Sequence, residues 1–169
     1  MKILAFGASN SRSSINQAFA LWAARQWPGA EVETLNIADY EIPIYSPDRE
    51  EQLGQPALAQ AFLRRLEQAD LLIISFAEHN GGFTAAWKNL SDWVSRIERR
   101  YLKHKAVLLL ATSSGARGGQ QVLAQARSLA RSAQANVIDA ITLPEFQRHY
   151  QEADQQLDYP AVVERVRQA

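Results

Sequence analysis

The residue types with the most evident chemistry form a serine-rich stretch near the N-terminus. Residues 9–16 read Ser-Asn-Ser-Arg-Ser-Ser-Ile-Asn and lie between a short apolar run and a segment with helical periodicity. Hydroxyls, amides and backbone N–H groups at the start of a helix form a binding site for a phosphate dianion. Ser and Asn are also favoured as helix caps, but a cap accounts for one serine and not for the cluster. We therefore expect this first loop to bind phosphate.

Two common phosphate-binding patterns are missing from the first loop. The dinucleotide pattern G-x-G-x-x-G needs three glycines after the strand, whereas this stretch has Gly7 alone. The Walker pattern needs Gly-Lys-Ser or Gly-Lys-Thr, which the sequence does not contain. The phosphate ligand that remains compatible with this loop is a mononucleotide held by hydroxyls and backbone amides.

A second polar loop follows the most apolar run of the chain. Residues 77–82 read Ala-Glu-His-Asn-Gly-Gly, and the two glycines allow a flat ligand to approach the backbone. Glu78 and His79 are candidates for a general acid and base, and His79 is also a candidate for stacking on an aromatic ring. The alternative is a solvated turn with both side chains in water. A metal site is not expected because no second His lies at ligand spacing, and His104 and His149 are isolated residues expected at the surface.

A third loop again combines hydroxyls with glycines before a helix. Residues 112–119 read Thr-Ser-Ser-Gly-Ala-Arg-Gly-Gly, in which Arg117 either meets a phosphate or carboxylate or is solvated. Three such loops at the ends of three strands predict a crevice for a flat, phosphorylated cofactor.

Alternating strands and helices must position these loops. Strands are predicted at residues 3–6, 32–35, 70–76, 106–111 and 137–143, with helices after the first, third and fourth and before the third, and a last helix from Pro160. Residues 39–54 are expected to form a loop and residues 144–159 an irregular segment. This pattern predicts a single α/β domain over residues 1–169 with a doubly wound, five-stranded parallel sheet in the order 2-1-3-4-5 and helices on both faces. The ligand crevice then lies at the carboxyl ends of strands 1, 3 and 4.

Composition excludes several other classes of protein. The 169 residues include 18 Lys and Arg and 18 Asp and Glu, so no overall positive charge attracts nucleic acid. The absence of Cys excludes disulfides, thiolate nucleophiles and iron–sulfur clusters. No apolar run is long enough to span a membrane. We expect a soluble, cytoplasmic protein that binds neither nucleic acid nor membrane.

In several motifs the sequence resembles the NADPH-dependent FMN reductase family, flavodoxin-like proteins that include quinone, azo-dye and chromate reductases. The family's first-loop pattern, G-S-x-R-x-x-S-x-N, is matched at Ser9, Ser14 and Asn16. Its later motifs are echoed by residues 43–45 (Pro-Ile-Tyr, with Asp48 beyond), 77–81, 88–93 (Lys-Asn-Leu-Ser-Asp-Trp) and 113–119. The similarity runs from Met1 to about Ile141, and the 88–93 block is its most specific part.

The resemblance implies an FMN-dependent oxidoreductase. Hydride would pass from NADPH or NADH, through bound FMN, to a flavin, quinone or similar small-molecule acceptor in a ping-pong cycle. No catalytic side chain or metal is implied, since flavin N5 carries the chemistry. Phosphate would bind at Ser9, Ser11, Ser14 and Asn16, and the ring would lie between the second and third loops. The implied cofactor-binding residues are Ser9, Ser11, Arg12, Ser14, Ile15, Asn16, Ala77, Glu78, His79, Asn80, Gly81, Ser113, Ser114, Gly115, Arg117 and Gly118.

Some departures from the family pattern fall at positions that bear on flavin binding. Ser11 occupies the usual Arg position, and Arg12 can replace that cation by turning inward. Ala77 and His79 stand where the family has Pro and Tyr. The alternatives are therefore a flavodoxin-like binding or regulatory module with weak or no flavin binding, and an electron-carrier flavoprotein. Zero net charge argues against a carrier, and a nucleotide hydrolase lacks an acidic cluster for Mg²⁺.

The resemblance also implies a homodimer or homotetramer in which a partner chain helps to close the flavin site. Trp87, Trp93 and the loop around Tyr45 are candidate interface residues. Their alternative placement is the ordinary core or surface of the domain.

Overall fold

A five-stranded parallel sheet forms the centre of the computed structural model, which describes residues 1–169. The strands are β1 (Lys2–Ala8), β2 (Glu31–Thr34), β3 (Leu71–Phe76), β4 (Ala106–Thr112) and β5 (Asn136–Leu143). Their order is β2-β1-β3-β4-β5, and every neighbouring pair is parallel. The predicted fold class and strand order are therefore confirmed.

Helices cover both faces of this sheet because the central strands are apolar on both sides. The helices are α1 (Ile15–Ala24), α2 (Pro47–Leu53), α3 (Ala57–Gln68), α4 (Ala85–Ile97), α5 (Gln120–Ser132), α6 (Phe146–His149) and α7 (Pro160–Gln168). One apolar core, called the α3–α5 core, joins the sheet to α3, α4 and α5. The other, called the α1–α7 core, joins the opposite face of the sheet to the two helices α1 and α7. β3, buried at all six positions, contributes alternate side chains to the two cores.

Two segments contain structure that the sequence analysis did not predict. Residues 39–54, expected as a loop, include the end of a short 3₁₀ helix (Ile37–Tyr40) and all of α2. Ser46 caps α2 by accepting a hydrogen bond from the Arg49 amide at 3.2 Å, but α2 buries no residue. It therefore lacks the apolar periodicity by which helices were recognised.

The segment 144–159 was also expected to be irregular, and this prediction is wrong. It contains α6 and a short antiparallel hairpin formed by β6 (Tyr150–Gln151) and β7 (Gln156–Leu157). Phe146 stacks on Tyr150 with ring centroids 4.6 Å apart, which anchors the hairpin against the α1–α7 core. The last helix begins at Pro160 as predicted. None of the helices has the length and apolar character needed to cross a membrane.

Candidate functional site

The three polar loops meet at the carboxyl edge of the sheet, above β1, β3 and β4. They line an open cavity of about 300 Å³, here called the serine cavity. It is lined by Ser9, Ser11, Ser13, Ser14, Ile15, Asn16, Ala77, Glu78, His79, Thr112, Ser113 and Ser114. Ten of the sequence-predicted site residues are in this set. The other two, Ser13 and Thr112, were not among the cofactor-binding residues that the resemblance implies. Tertiary structure thus brings the three loops together as the strand order predicted.

The first loop offers unpaired hydrogen-bond donors at the start of α1. Ser14 is the N-cap, and its hydroxyl accepts from the Gln17 amide at 3.3 Å. The backbone amides of residues 13–16 donate to no protein acceptor. The hydroxyls of Ser11 and Ser13 lie 3.4 Å apart and are exposed. Free amides, hydroxyls and the positive end of the helix dipole suit an anion.

Asn16 has a different role from the one expected. Its side-chain oxygen accepts from the Ser75 hydroxyl at 2.7 Å and from the Thr112 amide at 3.0 Å, and its amide group donates to the Thr112 carbonyl at 3.1 Å. The residue is 2% exposed. This side chain therefore joins α1 to β3 and β4 and is not free to bind phosphate, which corrects the expectation for its amide group. Its backbone N–H remains part of the first loop's donors.

Arg12 points away from the serine cavity. Its guanidinium lies 2.7 Å from the Asp39 carboxylate, and both side chains are largely exposed. Arg12 lines a neighbouring cavity of about 370 Å³, the outer cavity, between the 3₁₀ helix, Ile42 and the start of α4. The inward position expected for Arg12 is not observed. Arg117 is exposed and also lies outside the lining of the serine cavity, so that lining contains no cation.

The second loop is a tight turn whose backbone groups are paired. His79 and Gly82 exchange two backbone hydrogen bonds, of 3.0 and 3.1 Å. Asn80 and Gly81 between them have φ values of 51° and 78°, as in a type I′ turn, which suits the Asn-Gly pair. The side chain of Gln125 donates to the Gly81 carbonyl at 2.9 Å. Sequence analysis missed Gln125 because an exposed polar residue on a helix is too common to be singled out.

Glu78 and His79 differ in how they are held. One carboxylate oxygen of Glu78 accepts from the Val122 amide at 3.0 Å, in the first turn of α5. Because Gly119 has no side chain to cap that helix, Glu78 performs this function from another loop. His79 is exposed beside the serine cavity. The geometry leaves its ring free for stacking, whereas the Glu78 carboxylate is already bound.

The third loop is packed against the end of β5. The amides of Glu145 and Phe146 donate to the carbonyls of Gly115 and Ser113 at 3.2 and 3.0 Å. Gly118 has φ +57°, and a Cβ there would lie 2.8 Å from the Leu143 carbonyl carbon. Close backbone approach therefore requires glycine at this position.

The candidate interface tryptophans belong to the core. Trp87 and Trp93 are essentially fully buried, so they are not surface contacts for a partner chain. Tyr45 packs edge-on against Trp93, with ring centroids 5.1 Å apart, and its hydroxyl donates to Glu50 at 3.0 Å. Burial, and then the hydrogen bond to Glu50, raises the pKa of Tyr45 above its usual value. No group of three or more His, Asp or Glu side chains is arranged to hold a metal ion.

Comparisons with known proteins agree with this architecture. A family model described as NADPH-dependent FMN reductase matches residues 1–148. A quinone reductase of Escherichia coli strain K12 is 38% identical over 90 residues, which cover 53% of this chain and 47% of that protein. The aligned part thus spans about half the length of that relative.

Two solved structures share the fold. FerB from Paracoccus denitrificans, described as a flavoenzyme NAD(P)H:(acceptor) oxidoreductase, has a TM-score of 0.77 at 19% identity and covers 98% of this chain and 91% of its own. An NADH:FMN oxidoreductase (EMOB) in its apo form has a TM-score of 0.73 at 19% identity, covering 99% of this chain and 84% of its own. At these identities the similarity concerns the fold.

Proposed function

The chain belongs to the NADPH-dependent FMN reductase family, and from that premise we propose that it binds FMN and uses NAD(P)H to reduce a small acceptor such as a flavin or a quinone. The observation that carries this proposal is the serine cavity, in which unpaired donors of the first loop face two glycine-bearing loops. The same residues would be difficult to explain as caps alone, since Ser14 already caps α1.

The first loop fits the phosphate of FMN. Four consecutive backbone amides, at residues 13–16, have no protein acceptor, and the hydroxyls of Ser9, Ser11 and Ser13 surround them. A phosphate has three strong acceptor oxygens and carries between one and two negative charges at neutral pH. Neutral donors at a helix N-terminus can hold such an ion without a cation in the lining. Ser9, Ser11, Ser14, Ile15 and Asn16 would therefore hold the phosphate together with Ser13, and Ile15 and Asn16 would do so through their backbone N–H groups.

The second and third loops would hold the flavin ring. The chemistry that bound FMN supplies is acceptance of a hydride from NAD(P)H and transfer of the electrons to the acceptor. The residues assigned to the ring are Ala77, Glu78, His79, Asn80 and Gly81 on one side and Ser113, Ser114, Gly115, Arg117 and Gly118 on the other. The paired backbone of the His79–Gly82 turn gives this platform its shape without a ligand.

Several further properties of the protein stay predictions. They are ping-pong kinetics, assembly as a homodimer or homotetramer, the cytoplasmic location and a single functional domain over residues 1–169. The identity of the acceptor and the choice between NADPH and NADH belong to the same set. The exposed His79 ring in the lining of the serine cavity supports a flat, aromatic ligand such as the flavin ring, since such ligands stack on imidazole.

The test is a titration of flavin-free protein with FMN and, separately, with riboflavin, followed by visible spectra after gel filtration. We expect FMN to be retained, riboflavin to bind more weakly because it lacks the phosphate, and NADPH or NADH to bleach the flavin bands. Ser14→Ala should weaken FMN binding by about tenfold, because one charge-assisted hydrogen bond and the α1 cap are lost together.

Ser95→Ala is the matched control for that variant. The Ser95 hydroxyl donates to the Asp92 carbonyl in α4, away from the loops, so its removal should leave FMN affinity unchanged. A protein that retains no FMN and does not reduce added FMN would contradict the proposal and favour a flavin-free binding module of the same fold.

A further inference from the structure

Arg12 lies between the serine cavity and the outer cavity. Its chain neighbours Ser11 and Ser13 both line the serine cavity, whereas the Arg12 side chain lines the outer cavity. The Arg12 side chain is 71% exposed, and its guanidinium forms an ion pair with Asp39. The side chain can therefore turn from the outer cavity toward the serine cavity without opening any packed core.

Asp39 is the partner whose backbone is anchored. It lies in the 3₁₀ helix Ile37–Tyr40, which the Asn36 side chain caps by accepting from the Ala38 amide at 2.9 Å. Ile37 buries its side chain in the α3–α5 core and thereby anchors the helix. The backbone that carries Asp39 is therefore anchored to the core, whereas Arg12 is carried by an exposed loop.

A phosphate in the serine cavity would compete with Asp39 for Arg12. Ion pairs between exposed side chains contribute little, because water solvates both partners and the long side chain loses rotamer freedom. A phosphate carries more charge than a carboxylate and offers three acceptor oxygens, so it attracts a guanidinium more strongly. The lining of the serine cavity contains no other cation to meet that charge.

We propose that Asp39 sets the affinity of the site for the phosphate of its ligand by holding Arg12 in an outward position, from which phosphate binding recruits it. This inference rests on the proposed function, since it concerns the same phosphate. Asp39 is a positioning residue that acts through Arg12, and by competing for the guanidinium it limits how strongly the site discriminates between phosphorylated and unphosphorylated flavin. Loss of Asp39 frees the arginine and sharpens that discrimination.

The experiment compares FMN and riboflavin titrations of wild type, Asp39→Asn, Arg12→Gln and the double variant, at low and high ionic strength. Asp39→Asn should tighten FMN binding by about two- to fivefold, the range expected when an exposed ion pair is removed as a competitor. Riboflavin binding should not change. The gain should shrink at about 1 M salt, where charges are screened within a few ångströms.

Arg12→Gln should weaken FMN binding, and in that background Asp39→Asn should have no further effect. Glu41→Gln is the matched control, because Glu41 is an exposed acid that lines the same outer cavity and has no ion-pair partner. If the effect of Asp39→Asn acts through Arg12, Glu41→Gln leaves FMN affinity at the wild-type value. All of the substituted side chains are exposed, so equal thermal midpoints are expected and should be recorded.

Two results would overturn the inference while leaving the proposed function intact. One is FMN binding by wild type with equal effects of Asp39→Asn and Glu41→Gln, which would indicate a general charge effect. The other is an undiminished effect of Asp39→Asn in the Arg12→Gln background. A wild-type protein that binds no FMN would remove both the inference and the proposed function.

Discussion

The first loop and the second loop occupy neighbouring strand ends but are built in opposite ways. In the first loop, the amides of residues 13–16 and the hydroxyls of Ser11 and Ser13 have few or no protein partners. In the second loop, the His79–Gly82 turn closes on itself, Gln125 binds the Gly81 carbonyl, and Glu78 binds the first turn of α5. The third loop resembles the second, since the start of α6 pairs with it.

This difference indicates that the first loop binds a charged group, whereas the second and third loops form a preformed surface beside it. Unpaired donors cost free energy unless water or a ligand satisfies them, so their concentration in one loop indicates where a charged group is received. A loop whose groups are already paired keeps its shape without a ligand and provides a surface against which a flat molecule can rest. Substitutions in the second and third loops should therefore change stability, whereas those in the exposed part of the first loop should change ligand affinity.

The largest expected effect is that of Gly118→Ala in the third loop. The added Cβ would lie 2.8 Å from the backbone of Leu143 and Pro144, at a residue with φ +57°. Backbone strain and overpacking together should lower the free energy of unfolding by about 4 kcal/mol. Urea denaturation measures this. Gly29→Ala, with φ +78° and no atom within 4 Å, is the control and should cost about 1.5 kcal/mol from backbone strain alone.

Asn16→Ala tests whether the Asn16 side chain has a structural role, in contrast to the exposed, ligand-binding part of the first loop. Its removal leaves the Ser75 hydroxyl and both backbone groups of Thr112 buried without partners, so we expect a loss of about 3 kcal/mol in unfolding free energy. Asn10→Ala, an exposed residue of the same loop with no side-chain hydrogen bond, should change stability by less than about 0.5 kcal/mol. Similar values for the two variants would contradict the assignment of Asn16 as a structural link.

Glu78 gives an intermediate effect, since it links the second loop to α5. Glu78→Ala removes the acceptor for the Val122 amide and should cost about 1 kcal/mol, the usual value for a helix cap. Glu78→Gln keeps an oxygen acceptor and should recover most of that loss. The paired measurement is thermal unfolding with hydrogen exchange at Val122. A variant with the Gln side chain as unstable as Ala would indicate that the charge, not the hydrogen bond, holds the helix.

The smallest effect on stability is expected for Ser13→Ala. The side chain is exposed and makes one long hydroxyl contact, so unfolding free energy should change by less than about 0.5 kcal/mol. FMN affinity should nevertheless fall by about threefold, because the hydroxyl lines the serine cavity. A stability loss with unchanged FMN affinity would reverse the comparison between the two loops.

Much of this architecture could be read from the order of residue types. The doubly apolar run 71–76 marks a strand buried on both faces, and the alternation of strands with amphipathic helices gives the sheet order. The three loops were recognisable because polar and glycine residues follow three such strands. α2 was missed because it buries nothing, and the β6–β7 hairpin was missed because two-residue strands have no measurable periodicity.

The sequence by itself determined the fold, the edge of the sheet that carries the site and the residue types available there, because these follow from local periodicity and turn chemistry. Tertiary structure decided which of those side chains are free. Asn16 is consumed by contacts with Ser75 and Thr112, about 60 and 96 residues away along the chain, and Arg12 is held outward by Asp39. Hydrogen-bond partners distant in sequence leave no trace in local patterns, so only the folded arrangement shows whether a polar side chain has donors left for a ligand.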